Sequence, residues 1–272
     1  MLGRDVVAAA GDAGHEVVAL ARADLDISDA AAVTAAVTAA RPDAVINCAA
    51  WTDVDGAETA EAEATAVNGA GAGNVAAAAA DAGALIVQVS SDYVFDGLAT
   101  EPYREDAPTA PQGAYGRSKL AGERAVAAAA PGRCAIVRAS WLFGPHGKNF
   151  VDTMRRLGAE REELAVVDDQ VGCPTYTGHL APALVDIAER GVTGVLHVAG
   201  GGSCSWLDLA EATFAETAIA CRVRPQSTAD LGRPAPRPAF SALAGTRADA
   251  PVLPPWRDGL RAHLARVEEV VA

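Results

Sequence analysis

The sequence predicts an α/β fold, a doubly wound parallel sheet with a smaller C-terminal region, on three grounds. Short runs of branched apolar residues alternate with Ala-rich helical stretches through the first half. The strand-like runs are apolar almost throughout, as strands covered on both faces are, rather than alternating. Half of the residues are hydrophobic but only 5 % are aromatic, so Ala and Val carry the core and suit helices laid closely on a sheet.

Taken in order, residues 16–20 (EVVAL) read as a strand and 30–40 as a helix. Residues 44–48 form the next strand, 68–82 a helix, 85–89 a strand, 115–130 a helix and 134–138 a strand. Strand and helix taking turns implies right-handed βαβ units and hence parallel pairing. The second half is less regular. Gly200-Gly201-Gly202 marks a turn, residues 233–238 are proline-rich, and Pro254-Pro255 precedes a last amphipathic helix. We place a Rossmann-like dinucleotide-binding unit at 1–147 and a substrate-binding region, partly interleaved with the sheet, at 148–272.

A formal net charge of −13 and the lack of any Lys/Arg block argue against a nucleic-acid partner. Anionic small molecules would have to be met by single arginines or helix N-termini. No apolar run reaches the ~18 residues that span a bilayer, and no basic segment precedes an apolar one, so a cytoplasmic protein with no membrane partner is expected. Five scattered cysteines without a CxxC pair read as reduced thiols, and no ligand spacing suggests a metal. The acidic Glu58, Glu61 and Glu63 read as a solvated helix face.

Tyr115 and Lys119 stand four apart at the head of a helix, so their side chains leave the same face. An ammonium near a phenol favours the phenolate and lowers its pKa, which would suit a proton donor to a carbonyl being reduced. With four Tyr and two Lys in the chain, such a pair arises by chance in about 3 % of cases, so the spacing carries some weight. Ser90 and Ser91 follow a strand, where ligands bind in open α/β folds. A hydroxyl there could polarise a substrate carbonyl, or simply cap the next turn. Arg22, after the first strand-like run, could meet a cofactor 2′-phosphate or lie solvated.

Ser90-Ser91-Asp92-Tyr93-Val94-Phe95-Asp96-Gly97, Tyr115-Gly116-Arg117-Ser118-Lys119 and Arg138-Ala139-Ser140-Trp141-Leu142-Phe143-Gly144 resemble the extended short-chain dehydrogenases/reductases. The runs 168–177 (DDQVGCPTYT), 47–55 (NCAAWTDVD) and 237–243 (RPAFSAL) are similar to reductases of dTDP-linked 4-keto sugars in that family. The resemblance implies reduction of dTDP-4-dehydro-6-deoxy-L-mannose to dTDP-L-rhamnose with NADPH or NADH, by a monomer or homodimer. It implies Tyr115 as proton donor, Lys119 as its pKa-lowering partner and ribose ligand, and Ser91 as the group that binds the carbonyl. It further implies cofactor contacts at Gly3, Asp26, Ile27, Ala49, Ala50 and Trp51, and substrate contacts at Ser91, Asp92, Tyr93 and Trp141. The same family includes nucleotide-sugar epimerases and dehydratases that recycle NAD, and non-catalytic subunits that bind cofactor.

The family opens with a strand and a G-x-x-G-x-x-G turn, whereas this sequence opens Met1-Leu2-Gly3, with Gly3 aligned to the third glycine. The expectation is therefore weak dinucleotide binding by these residues alone, recovered when an upstream segment is restored.

Overall fold

The computed structural model describes residues 1–271, with side-chain surroundings through Arg266. Its centre is a four-stranded parallel sheet of β1 (Ala44–Asn47), β2 (Leu85–Ser91), β3 (Cys134–Ala139) and β4 (Gly194–His197), side by side in that order. Helices cover both faces, as continuous apolar strands require. On one face, Ile86 and Ile136 meet Val75, Ala76 and Ala79 of helix Ala72–Asp81 and Val126 of helix Ala114–Ala129. On the other, Val87 and Val137 meet Leu2 and Val6 of helix Leu2–Asp12 and Leu180, Leu184 and Ile187 of helix Thr177–Arg190. Neighbouring residues of one strand thus feed opposite layers. Alanines fully buried on helix Ala72–Asp81 let it lie close to the sheet, which is why so few aromatics are needed.

Residues 16–20 do not form the expected strand. Among the described residues they are not paired with any strand, and Val17, Val18 and Leu20 are exposed. A branched run favours an extended backbone, but a strand also needs a hydrogen-bonded neighbour. Among the described residues β1 is the sheet edge. The expected helix over 68–82 begins instead as a π-helical turn, Ala66–Gly71, before the regular helix Ala72–Asp81.

The second half divides between two roles. Helix Thr177–Arg190 and β4 complete the sheet layer. Helices Phe150–Glu160 and Trp206–Thr217 instead flank a parallel pair, Glu163–Val167 with Arg222–Gln226, around Met154, Leu164, Val166 and Phe214. The last helix, Trp256–Val271, packs Trp256, Leu260 and Leu264 against Phe143 and Tyr176. Among the described residues no helix is long and apolar enough to cross a membrane, and no cluster of three metal-ligating side chains occurs.

Under the carboxyl end of the sheet lies a buried ion pair. Arg138 of β3 donates to both carboxylate oxygens of Glu123 on helix Ala114–Ala129, at 2.8 and 2.7 Å. Ser90 donates to the same carboxylate at 2.6 Å, and the guanidinium lies 5.1 Å from the centre of the Phe95 ring.

Candidate active site

β2 runs two residues past its last expected position and ends at Ser91, in register with Ala139 of β3. The Ser91 hydroxyl accepts the Tyr93 backbone N–H at 3.2 Å, capping the 3₁₀ turn Asp92–Val94, and donates to Asp92 Oδ1 at 3.0 Å. The same hydroxyl lies near enough to the Tyr115 phenol to pull its pKa down. Capping the turn and meeting the phenol are therefore done by one side chain.

Tyr115 is presented by the first turn of helix Ala114–Ala129. The helix is anchored by Glu58, whose carboxylate accepts the Ala114 N–H at 2.7 Å, and by Arg117, which grips Glu61 with two bonds of 2.7 Å. Glu58 and Glu61 thus hold this helix rather than forming a merely solvated face. Gly116 lets the Tyr93 turn press on the helix, since a Cβ there would overlap the Tyr93 carbonyl. The Tyr93 and Tyr115 rings meet edge to face, with centroids 5.6 Å apart.

Burial dominates the electrostatics of Tyr115 and Lys119. Burial pushes the Tyr115 phenol up to about 12, the Ser91 hydroxyl pulls it back, and the Asp92 carboxylate adds to the rise. Lys119 does not bring it down. Its side chain is buried and its ammonium donates to the Val89 carbonyl at 2.8 Å. Burial pulls the lysine itself down to about 8, opposed mainly by Glu123. The four-residue spacing gave both side chains one helix face, but a carbonyl of β2 takes the ammonium. Because the folded pKa of about 8 lies below the ordinary 10.5, the folded protein binds fewer protons between those values. Its stability therefore gains from Lys119 as pH rises through that window. Lys119→Met should abolish this gain in denaturation curves recorded from pH 7 to 10.5.

Asp92 lies beneath this pair. It is 1 % exposed and accepts hydroxyls from Ser91, Ser140 (3.0 Å) and Ser241, so it braces the site from beneath. Burial pushes its carboxyl up while the three hydroxyls hold it down. Tyr93 is half-buried beside Tyr115. Trp141, half-buried, follows Ser140 with a left-handed φ of 47°.

On the side of β1, the turn 49–51 is set by side-chain amides. Asn47 accepts the Ala49 N–H at 3.0 Å and donates to Gln88 at 2.8 Å. Asn68, from the π-helical turn, accepts the Trp51 N–H at 2.8 Å and donates to Ser118 at 2.9 Å. It thereby ties Ala49, Ala50 and Trp51 to the Tyr115 helix; sequence reasoning passed over it because its partners lie 17 and 50 residues away. Gly3 sits in the first turn of helix Leu2–Asp12, where a Cβ would stand 3.7 Å from that of Cys48. Ile27 turns its side chain into the core beside Val33 and Val75 rather than outward, while Asp26 is exposed and binds the Ser28 N–H and hydroxyl at 2.9 and 2.7 Å. Arg22 is exposed, its charge acts on Asp26, and it has no hydrogen-bonded partner among the described residues.

These residues fit a nicotinamide dinucleotide. Lys119 commits one of its three N–H donors to Val89, Ala49 and Ala50 offer minimal side chains, and Arg22 offers an unpaired guanidinium. Arg237 was not foreseen as a single residue. Its Nη2 donates to Asp55 at 3.0 Å, its Nη1 is buried with no partner among the described residues, and its charge reaches Tyr93. The signal available was the charge balance, which requires single arginines for any anion.

The family model described as "RmlD substrate binding domain" matches residues 1–269. A dTDP-4-dehydrorhamnose reductase of Mycobacterium tuberculosis is 47 % identical over 274 residues, covering 97 % of this chain and 89 % of that one. This chain belongs to the dTDP-4-dehydrorhamnose reductase family. A crystal structure of a dTDP-4-dehydrorhamnose reductase from Clostridium acetobutylicum superposes with a TM-score of 0.95 at 40 % identity, covering 98 % of this chain and 96 % of that one. The reductase of Bacillus anthracis, solved in complex with NADP, superposes with a TM-score of 0.94 at 37 % identity over 97 % and 95 % of the two chains. Membership in the dTDP-4-dehydrorhamnose reductase family agrees with the parallel sheet and with Ser91, Tyr115 and Lys119 lying at its carboxyl end.

Proposed function

We propose that the protein reduces the 4-keto group of dTDP-4-dehydro-6-deoxy-L-mannose, giving dTDP-L-rhamnose, with NADPH or NADH as reductant. The observation that carries this reading is the Tyr115 phenol beside Ser91 at the carboxyl end of β2, in a chain of this family. Lys119, Ala49, Ala50, Trp51 and Arg22 hold the cofactor, which when bound supplies the hydride to sugar C4. Tyr115 donates a hydrogen bond to the keto oxygen, and Ser91 joins it by turning its single proton from Asp92 to that oxygen, so that both stabilise the charge that develops there. A phenol held at about 12 keeps its proton at neutral pH, so Tyr115 has a proton to give. That proton passes to the oxygen as negative charge builds on it, because an alkoxide is the stronger base. Lys119, its ammonium tied to the Val89 carbonyl, serves the cofactor side of the site, and Asp92 keeps Ser91 and Ser140 in place.

Arg237 serves the diphosphate of the nucleotide sugar. A charge-assisted bond contributes roughly 1.5–3 kcal/mol, or about ten- to a hundredfold. Arg237→Gln should raise KM for the nucleotide sugar by that factor and leave KM for NAD(P)H unchanged in steady-state assays; a rise in both would contradict the assignment.

The test is NAD(P)H oxidation by the purified protein with dTDP-4-dehydro-6-deoxy-L-mannose. One cofactor oxidised per sugar supports the reductase. Conversion of the sugar without net oxidation would favour an epimerase or dehydratase, and cofactor binding without turnover a regulatory subunit.

A further inference from the structure

We infer that Trp206 is a positioning residue for sugar selection, holding the Trp141 indole as a fixed platform beside the reacting carbon. The inference rests on the reading that Trp141 packs against the sugar.

Trp141 lies two residues beyond Ala139, the register partner of Ser91, and so leaves the sheet at the same carboxyl end as the candidate carbonyl site. Its backbone is held on both sides. The preceding Ser140 hydroxyl donates to Asp92 at 3.0 Å, and the Trp141 carbonyl accepts the Thr175 N–H at 3.1 Å. A left-handed φ of 47° is unusual for a bulky side chain and persists only where the surroundings enforce it. Those surroundings are specific. The Trp141 indole stacks on that of Trp206, with centroids 3.5 Å apart and planes 5° from parallel. Its edge lies over Gly172, where any Cβ would overlap the ring.

Trp206 is itself pinned. It is the first residue of helix Trp206–Thr217, whose start is locked by a reciprocal cap: the Ser205 hydroxyl accepts the Asp208 N–H at 3.0 Å and Asp208 accepts the Ser205 N–H at 2.8 Å. Its indole N–H donates to Gln170 Oε1 at 3.0 Å, and Gln170 in turn donates to Thr228 at 2.8 Å. Phe150 closes its flank at 4.6 Å. Both tryptophans are half-buried, and Trp206 rests on the apolar clusters around Leu209 and Phe214, which hold the stack from below. A rigid aromatic plane held at an unusual backbone angle orients a sugar ring without contacting the reacting atoms, which is where small misplacements cost rate.

Five variants test this: Trp141→Phe, Trp141→Ala, Trp206→Phe, Trp206→Leu and Gln170→Leu, the last removing the indole anchor while keeping both tryptophans. Stacked indoles give an exciton couplet in circular dichroism. The couplet should vanish in Trp141→Phe and Trp206→Phe and weaken in Gln170→Leu. KM for the nucleotide sugar should rise about tenfold in Trp206→Leu, less in Trp206→Phe, with KM for NAD(P)H and the melting temperature of the Phe variant unchanged. An unchanged sugar KM in Trp206→Phe and Gln170→Leu, with a raised one in Trp141→Ala, would overturn the positioning role. An unchanged sugar KM in Trp141→Ala would instead overturn the underlying reading of Trp141.

Discussion

Tyr115→Phe is expected to lower kcat by roughly two to four orders of magnitude, the range by which a positioned proton donor accelerates a reaction. The substitution removes one oxygen. That oxygen is the neighbour of the Ser91 hydroxyl and the proton source assigned to the keto oxygen. The ring stays, and with it the edge-to-face contact with Tyr93 at 5.6 Å. Ser91 retains its cap to Tyr93 and its bond to Asp92, so the change in stability should remain near 1 kcal/mol. Single-turnover measurements with NAD(P)H and the keto sugar, alongside a thermal melt and a cofactor titration, separate chemistry from binding. A variant with full activity would remove Tyr115 from the chemistry altogether.

Arg138→Met should cost about 3–5 kcal/mol, because it leaves the Glu123 carboxylate buried beside a neutral side chain. Both partners are nearly sealed, with 5 % and 6 % of their side chains exposed, and the pair is bidentate. Ser90 alone would remain bonded to the carboxylate. The double change Arg138→Met with Glu123→Leu should recover much of the loss, since replacing both charges by apolar groups of similar volume is often near neutral. Urea denaturation of the two single variants and the double variant gives the coupling. An Arg138→Met protein within about 1 kcal/mol of the parent would show that water or a rearranged neighbour satisfies Glu123. The pair also reaches the site, because Glu123 is the main group holding the Lys119 pKa up. Glu123→Gln should therefore shift the lysine below about 8 and narrow the pH range over which it is charged.

Much of the architecture was legible because it is local. Helix Ala30–Ala40 coincides with its Ala-rich run, and Asp29 supplies the cap by accepting the Ala31 and Ala32 N–H groups at 3.0 Å. The strands β2 and β3 follow apolar runs that alternate between two buried layers. Residues 16–20 show the limit of such patterns. A branched run favours an extended backbone, but a strand forms only beside a hydrogen-bonding neighbour, and residues 16–20 have none among the described residues.

By itself the sequence determined the α/β class, the motifs that carry the resemblance, and the pairing of Tyr115 with Lys119 on one helix face, all consequences of spacing along the backbone. The tertiary structure decided what those groups are electrostatically. Lys119 spends a donor on Val89, thirty positions away in sequence, and the phenol rises instead of falling. Asp92 is sealed by hydroxyls from Ser140 and Ser241 and becomes a brace. Arg237, Asn68 and Trp206 enter the site through contacts that no local spacing encodes. The physical reason is that a helix or strand period is set by near neighbours, whereas desolvation is set by whichever distant segments displace the water.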